Sequence, residues 1–77
     1  MSIPLSKLEV DDVGTIKSIN AAQELRRRLS GLGLRSGIRV RVIRHSPLNG
    51  PIQIRVGHTD LIIRTADAAN IEVCLAA

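Results

Sequence analysis

The chain reads as a mainly β protein, a small barrel of about five short strands with one inserted α-helix over residues ~21–32 and a short helical turn near residues 66–70. Three observations predict it. Apolar and polar residues alternate over short runs, most regularly at 38–42 and 52–56, which is the period of a strand with one buried face. Clusters of Gly, Pro, Asn and Asp separate those runs and supply turns. Finally, 44% of the residues are hydrophobic and none is aromatic, so the core must be built from Ile, Leu and Val, of which the β-branched pair suits pleated sheet.

The 77 residues suffice for one domain, 1–77. A chain of this size buries only about 60% of its unfolded surface, so the core has to be compact. Residues 5–14 form a short extended lead, with Asp11-Asp12 and Gly14 marking a turn into a strand at 14–19. Asn20 is the expected helix N-cap, and Glu24 lies in the first turn, where a negative charge suits the helix end. Ala22, Leu25, Leu29 and Leu32 fall on one helical face, and Arg26, Arg27 and Arg28 occupy most of the remaining circumference. Gly31 and Gly33 are candidates for a left-handed C-cap, and Gly37 for a turn.

Strands at 38–42 and 52–56 flank Ser46-Pro47-Leu48-Asn49-Gly50-Pro51. The Asn49-Gly50 pair is the hairpin signal. This pairing directs Val40, Val42, Ile54 and Val56 to the core and Arg39, Arg41 and Arg55 outward. A second turn spans 57–60, a short strand 61–64, one helical turn capped by Thr65 follows, and a last strand covers 71–75.

The composition narrows the function. Cys74 is the single cysteine, which excludes an intramolecular disulfide and a Cys-based zinc finger and fits a reducing compartment. No apolar run approaches the ~20 residues of a membrane span. The start, Met1-Ser2-Ile3-Pro4-Leu5, lacks the pattern of a secretory signal. A cytosolic protein without membrane insertion is expected.

Catalytic candidates are thin. His45 and Ser46 are adjacent on an extended chain, so their side chains point apart and cannot act as base and nucleophile. The Asp11-Asp12 pair reads as a turn. Residues 31–37 are glycine-rich but follow a helix and lack the Gly-Lys-Ser/Thr ending of a phosphate loop. No enzyme activity is expected. The donors that could hold a transition metal are His45, His58, Asp60 and Cys74. His45 and His58 fall at opposite ends of the predicted hairpin, which leaves at most a weak site at His58 and Asp60 or one shared between subunits, and no required cofactor. Cys74 reads as a small buried residue.

With the net charge of +4, the arginines Arg26, Arg27, Arg28 and Arg35, with Arg39, Arg41 and Arg55, are expected to form one positive surface, which reads as an ordinary solvated face or as a surface for an acidic partner, either protein or nucleic acid. Nucleic acid is disfavoured, because small barrels that hold single strands stack bases on aromatic side chains and this chain has none.

Three blocks together resemble the ferrous iron transport protein A (FeoA) family: Leu5-Ser6-Lys7-Leu8 with Gly14-Thr15-Ile16; the helix and glycine turn from Leu25 to Gly37; and Ser46-Pro47-Leu48-Asn49-Gly50-Pro51-Ile52 through Leu61-Ile62-Ile63-Arg64 to Ala69-Asn70-Ile71-Glu72-Val73. Ser36 and Gly31 depart from the family's usual residues. The resemblance implies an SH3-like barrel with an inserted helix. It also implies an accessory role beside FeoB, the membrane ferrous iron transporter with a cytosolic GTP-hydrolysing domain. On that reading Arg26, Arg27, Arg28, Leu34 and Arg35 are the partner-binding residues. The alternatives are a metal-responsive module related to the C-terminal domain of iron-dependent repressors, and a basic nucleic-acid-binding barrel. A homo-oligomer is left open.

Overall fold

The computed structural model describes residues 2–75. Six strands form one antiparallel sheet: β1 (Ser2–Pro4), β2 (Val13–Ile19), β3 (Arg39–His45), β4 (Ile52–Val56), β5 (Thr59–Ile63) and β6 (Ile71–Leu75), in the order β1-β6-β2-β3-β4-β5. A 3-10 turn (Leu5–Lys7) follows β1. Helix α1 (Gln23–Gly31) joins β2 to β3, and α2 (Thr65–Ala68) joins β5 to β6.

The sheet curls around its core. The three principal extents are nearly equal, 29 × 28 × 24 Å, whereas a flat sheet with one covered face would be far thinner, sheet layers being about 10 Å apart. Among the described residues no ladder joins β5 to β1, so the barrel is open along that seam. Inside lie aliphatic side chains at 0–1% exposure, among them Leu5, Leu8, Ile16, Val42, Ile54 and Val73. Burying each contributes roughly 1.5–3 kcal/mol. No polar or charged side chain is buried among the described residues.

The expected strands are all present, but β3 runs on to His45, β5 starts at Thr59 inside the expected 57–60 turn, and one strand is added. β1 is the addition: three residues ending in proline carry too little alternation to register as a strand, yet they hold as an edge, pairing Ile3 with Val73 and Pro4 with Glu72 on β6, where a missing N–H is tolerated. Gly14 is not a turn residue. It sits within β2 opposite Leu75, where a Cβ would overlap Val73 Cγ1 and lie 2.9 Å from the Cys74 carbonyl oxygen.

Helix α1 is shorter than the expected ~21–32, and its cap differs. Ala22 holds the N-cap position without a side-chain hydrogen bond. Asn20 lies two residues before that cap and is still in the sheet, its backbone N–H donating to the Asn70 carbonyl at 2.7 Å and so extending the β2–β6 ladder beyond Ile19 and Ile71. Of the four residues expected on the apolar face, Leu29 is buried and Leu25 half-buried, while Ala22 and Leu32 are exposed. The helix ends as expected in a left-handed glycine, Gly33 at φ 97°. The Gly33 N–H donates to Ser30 O and the Leu34 N–H to Leu29 O, the paired bonds of a Schellman cap.

The β3–β4 hairpin turns one residue earlier than the Asn49-Gly50 signal suggests. Ser46 N–H donates to Pro51 O, leaving four residues in the loop. Its corners are the middle two, Leu48 (φ 58°) and Asn49 (φ 57°). Gly50 answers to crowding, since a Cβ there would lie 2.8 Å from Ser46 Cβ. Thr65 does not cap α2. Its hydroxyl donates to the Gly50 carbonyl at 2.7 Å, tying α2 to the hairpin loop.

Candidate docking surface

The arginines of α1 stand out from the helix because Leu25 and Leu29, four residues apart, take its inward face and leave Arg26, Arg27 and Arg28 exposed. Arg26 and Arg35 border one shallow groove of about 370 Å³, shared with Ser18, Asn20 and Ser36. Arg27 and Arg28 border another with Ala22, Glu24 and Leu25. Arg28 also reaches across to Asp67 on α2, 3.8 Å away. The turn carrying Arg35 is held by the Ser36 hydroxyl, which donates to Lys17 O.

Leu34 differs from the other expected docking residues: it borders the groove of Arg26 and Arg35 but turns its side chain inward. It is 0% exposed, because the Schellman turn that follows α1 reverses the chain and drives its side chain into the core beside Leu29.

The metal candidates are scattered. His45 ends β3, paired with Ile52, and its Nε2 lies 2.6 Å from the Leu8 carbonyl, to which it donates. His58 is exposed in the turn beyond Val56, at the other end of β4. Cys74 is half-buried, not buried as the alternation suggested, since inward-facing Val73 leaves it on the outer side of β6. Among the described residues no group of three or more His, Cys, Asp or Glu side chains comes together.

Asp60 belongs to a different arrangement. Arg55 lies opposite it across β4–β5 and donates from Nε to Oδ1 at 2.7 Å and from Nη2 to Oδ2 at 3.2 Å, while the Gln53 amide donates to Oδ2 at 3.0 Å. The hydrogen bonds from Arg55 chiefly hold the Asp60 carboxyl below the usual carboxylate range, and Asp60 in turn raises Arg55. A depressed carboxylate stabilises the fold above its unfolded value and loses that contribution as pH falls through the folded one. The Asp60→Asn variant should therefore melt below the parent at neutral pH and converge with it in acid, by thermal denaturation across a pH series. A gap that persists in acid would contradict the pairing.

Three exposed features lay outside the sequence reading: Arg44 on β3, Ile62 at 71% exposure on β5, and Leu48 at 99% on the hairpin tip. For Leu48 the signal was present in the Pro-Leu-Asn-Gly-Pro run. For the others it was not, as both follow from strand register.

Comparison with known proteins gives the geometry its context. None of the curated proteins compared with the chain matches it. Among solved structures, the FeoA protein from Chlorobium tepidum is 35% identical, over 97% of this chain and 71% of that one, with a TM-score of 0.91. A zinc-complexed FeoA from Stenotrophomonas maltophilia, described as an SH3 domain protein and a candidate ferrous iron transport activating factor, is 28% identical over 95% and 88% of the two chains, with a TM-score of 0.77. A manganese-dependent transcriptional repressor shares the fold over 97% of this chain and 42% of its own, at 21% identity and a TM-score of 0.89. The SH3-like architecture expected from the resemblance is thus the architecture found. The FeoA domain model matches residues 3–74, from β1 through nearly all of β6, and the chain belongs to the FeoA domain family.

Proposed function

We propose that this chain is a non-enzymatic accessory protein of ferrous iron uptake, acting in the cytoplasm by docking on the GTP-hydrolysing cytosolic region of a FeoB-type transporter. The observation that carries it is family membership over residues 3–74. The exposed arginines of α1 support a surface role, because a guanidinium pairs with carboxylates through two parallel hydrogen bonds and an acidic partner gains both affinity and encounter rate from them. An apolar interior holding no buried polar side chain among the described residues likewise suits a protein that offers its outside.

The test is direct association of the purified chain with the transporter's cytosolic domain, followed by calorimetry. Arg27→Glu should weaken association by about tenfold or more, since a charge reversal at an interface removes an attraction and adds a repulsion. Its thermal midpoint should stay near the parent's. Full affinity in that variant would take α1 out of the interface, and no association of the parent would overturn the proposal.

A further inference from the structure

The outer face of β3 and β4 carries a cost that the fold does not explain. Arg41 and Arg55 stand directly opposite each other in the ladder, and like charges at opposed positions destabilise a strand pair. Only Arg55 is compensated, by Asp60 on the next strand. Arg39 lies two residues before Arg41 on the same exposed face. The register shift between Val42 and Arg44 brings Arg44 opposite Gln53, on this face too, and places His45 opposite buried Ile52. Without that bulge the alternation set by Val40 and Val42 would point Arg44 inward. The one irregularity in β3 thus adds a further positive charge to the strip. Among the described residues Arg39, Arg41 and Arg44 take part in no ion pair, the two present being Arg28–Asp67 and Arg55–Asp60. Arg39, Arg41 and Arg55 border a groove of about 460 Å³ closed by Val13, Val40 and Gly57.

We propose that this strip is a docking site for an extended acidic segment of a partner protein, with carboxylates on alternate residues. Side chains two apart on a strand repeat about every 6.6 Å, so an extended peptide laid along β3 keeps its alternate carboxylates in step with Arg39 and Arg41. The planar guanidinium fork suits such a ligand better than an ammonium would. Single-stranded nucleic acid fits less well, because no aromatic side chain is present to stack a base. The strip does not involve the arginines of α1, and this inference goes beyond the transporter reading.

The experiment titrates a fluorescent decapeptide alternating Glu and Thr into the full chain by anisotropy at low salt, beside its Lys-for-Glu counterpart and a mixed-sequence single-stranded DNA. Saturable binding of the Glu peptide that weakens with salt is expected. The Arg39→Gln, Arg41→Gln double variant should lose about tenfold in affinity, whereas Arg26→Gln should leave it unchanged. No binding of the Glu peptide, an equal loss in Arg26→Gln, or tighter binding of DNA would overturn the proposal. A second readout needs no ligand: removing the opposed like charge in Arg41→Thr should raise the thermal midpoint by about 1–8 °C. A lowered midpoint would show that the fold itself uses the arginine, and the proposal would fall. Loss of peptide binding with transporter association intact in the double variant would separate the two surfaces.

Discussion

Replacing Gly14 with alanine is expected to cost about 1–3 kcal/mol, a large fraction of the roughly 4–12 kcal/mol that holds a domain this small. The added Cβ would overlap Val73 Cγ1 and sit 2.9 Å from the Cys74 carbonyl oxygen. The valine is fully buried, so it has no empty space to rotate into. The carbonyl is backbone, and moving it means parting β2 from β6 where Gly14, Thr15 and Ile16 pair with Leu75, Cys74 and Val73. Two strands held this closely leave room for hydrogen alone at residue 14. Urea unfolding of Gly14→Ala beside the exposed control Lys17→Ala measures it. A loss under about 0.5 kcal/mol, the range of an ordinary surface change, would show that the strands can separate freely.

Leu34→Ala should lose a similar amount, about 2–5 kcal/mol, the usual range for truncating a buried leucine. Leu34 is 0% exposed, and its backbone N–H closes the α1 cap on Leu29 O at 2.9 Å. The truncation leaves a hole where the helix end meets the barrel, and the backbone bond holds the surrounding atoms away from it. Stability and association should therefore separate between two neighbouring positions. Arg27→Glu loses association at constant stability, whereas Leu34→Ala loses stability and, at a temperature where it remains folded, keeps its association. A stable Leu34→Ala with weakened association would return Leu34 to the docking surface.

Both variants mark the limit of what local pattern reveals. The exposure of Arg26, Arg27, Arg28 and Arg35 was legible, because three consecutive arginines on a helix with leucines at 25 and 29 have nowhere to point but outward. The direction of Leu34 was not. It lies past the helix end, where a turn of the backbone, not a helical period, aims the side chain. Arg44 was missed for a related reason: alternation counted from Val40 places it inside, and only the bulge in the β3–β4 ladder turns it out.

The sequence by itself determined the strands β2 to β6, the helix and the aliphatic core, because alternation and helical period are properties of neighbouring residues and survive without knowledge of what they face. Tertiary structure alone decided where a residue's hydrogen-bonding groups go when two claims compete. Thr65 could cap α2 but its hydroxyl binds the Gly50 carbonyl, and the helix starts two residues beyond Asn20, whose backbone extends the ladder to Asn70. It also decided that the three-residue β1 lies on the edge of β6, and the register that opposes Arg41 to Arg55 within the expected hairpin. Those choices depend on partners far away along the chain, and a polar group is satisfied by whichever partner the packed backbone brings within reach.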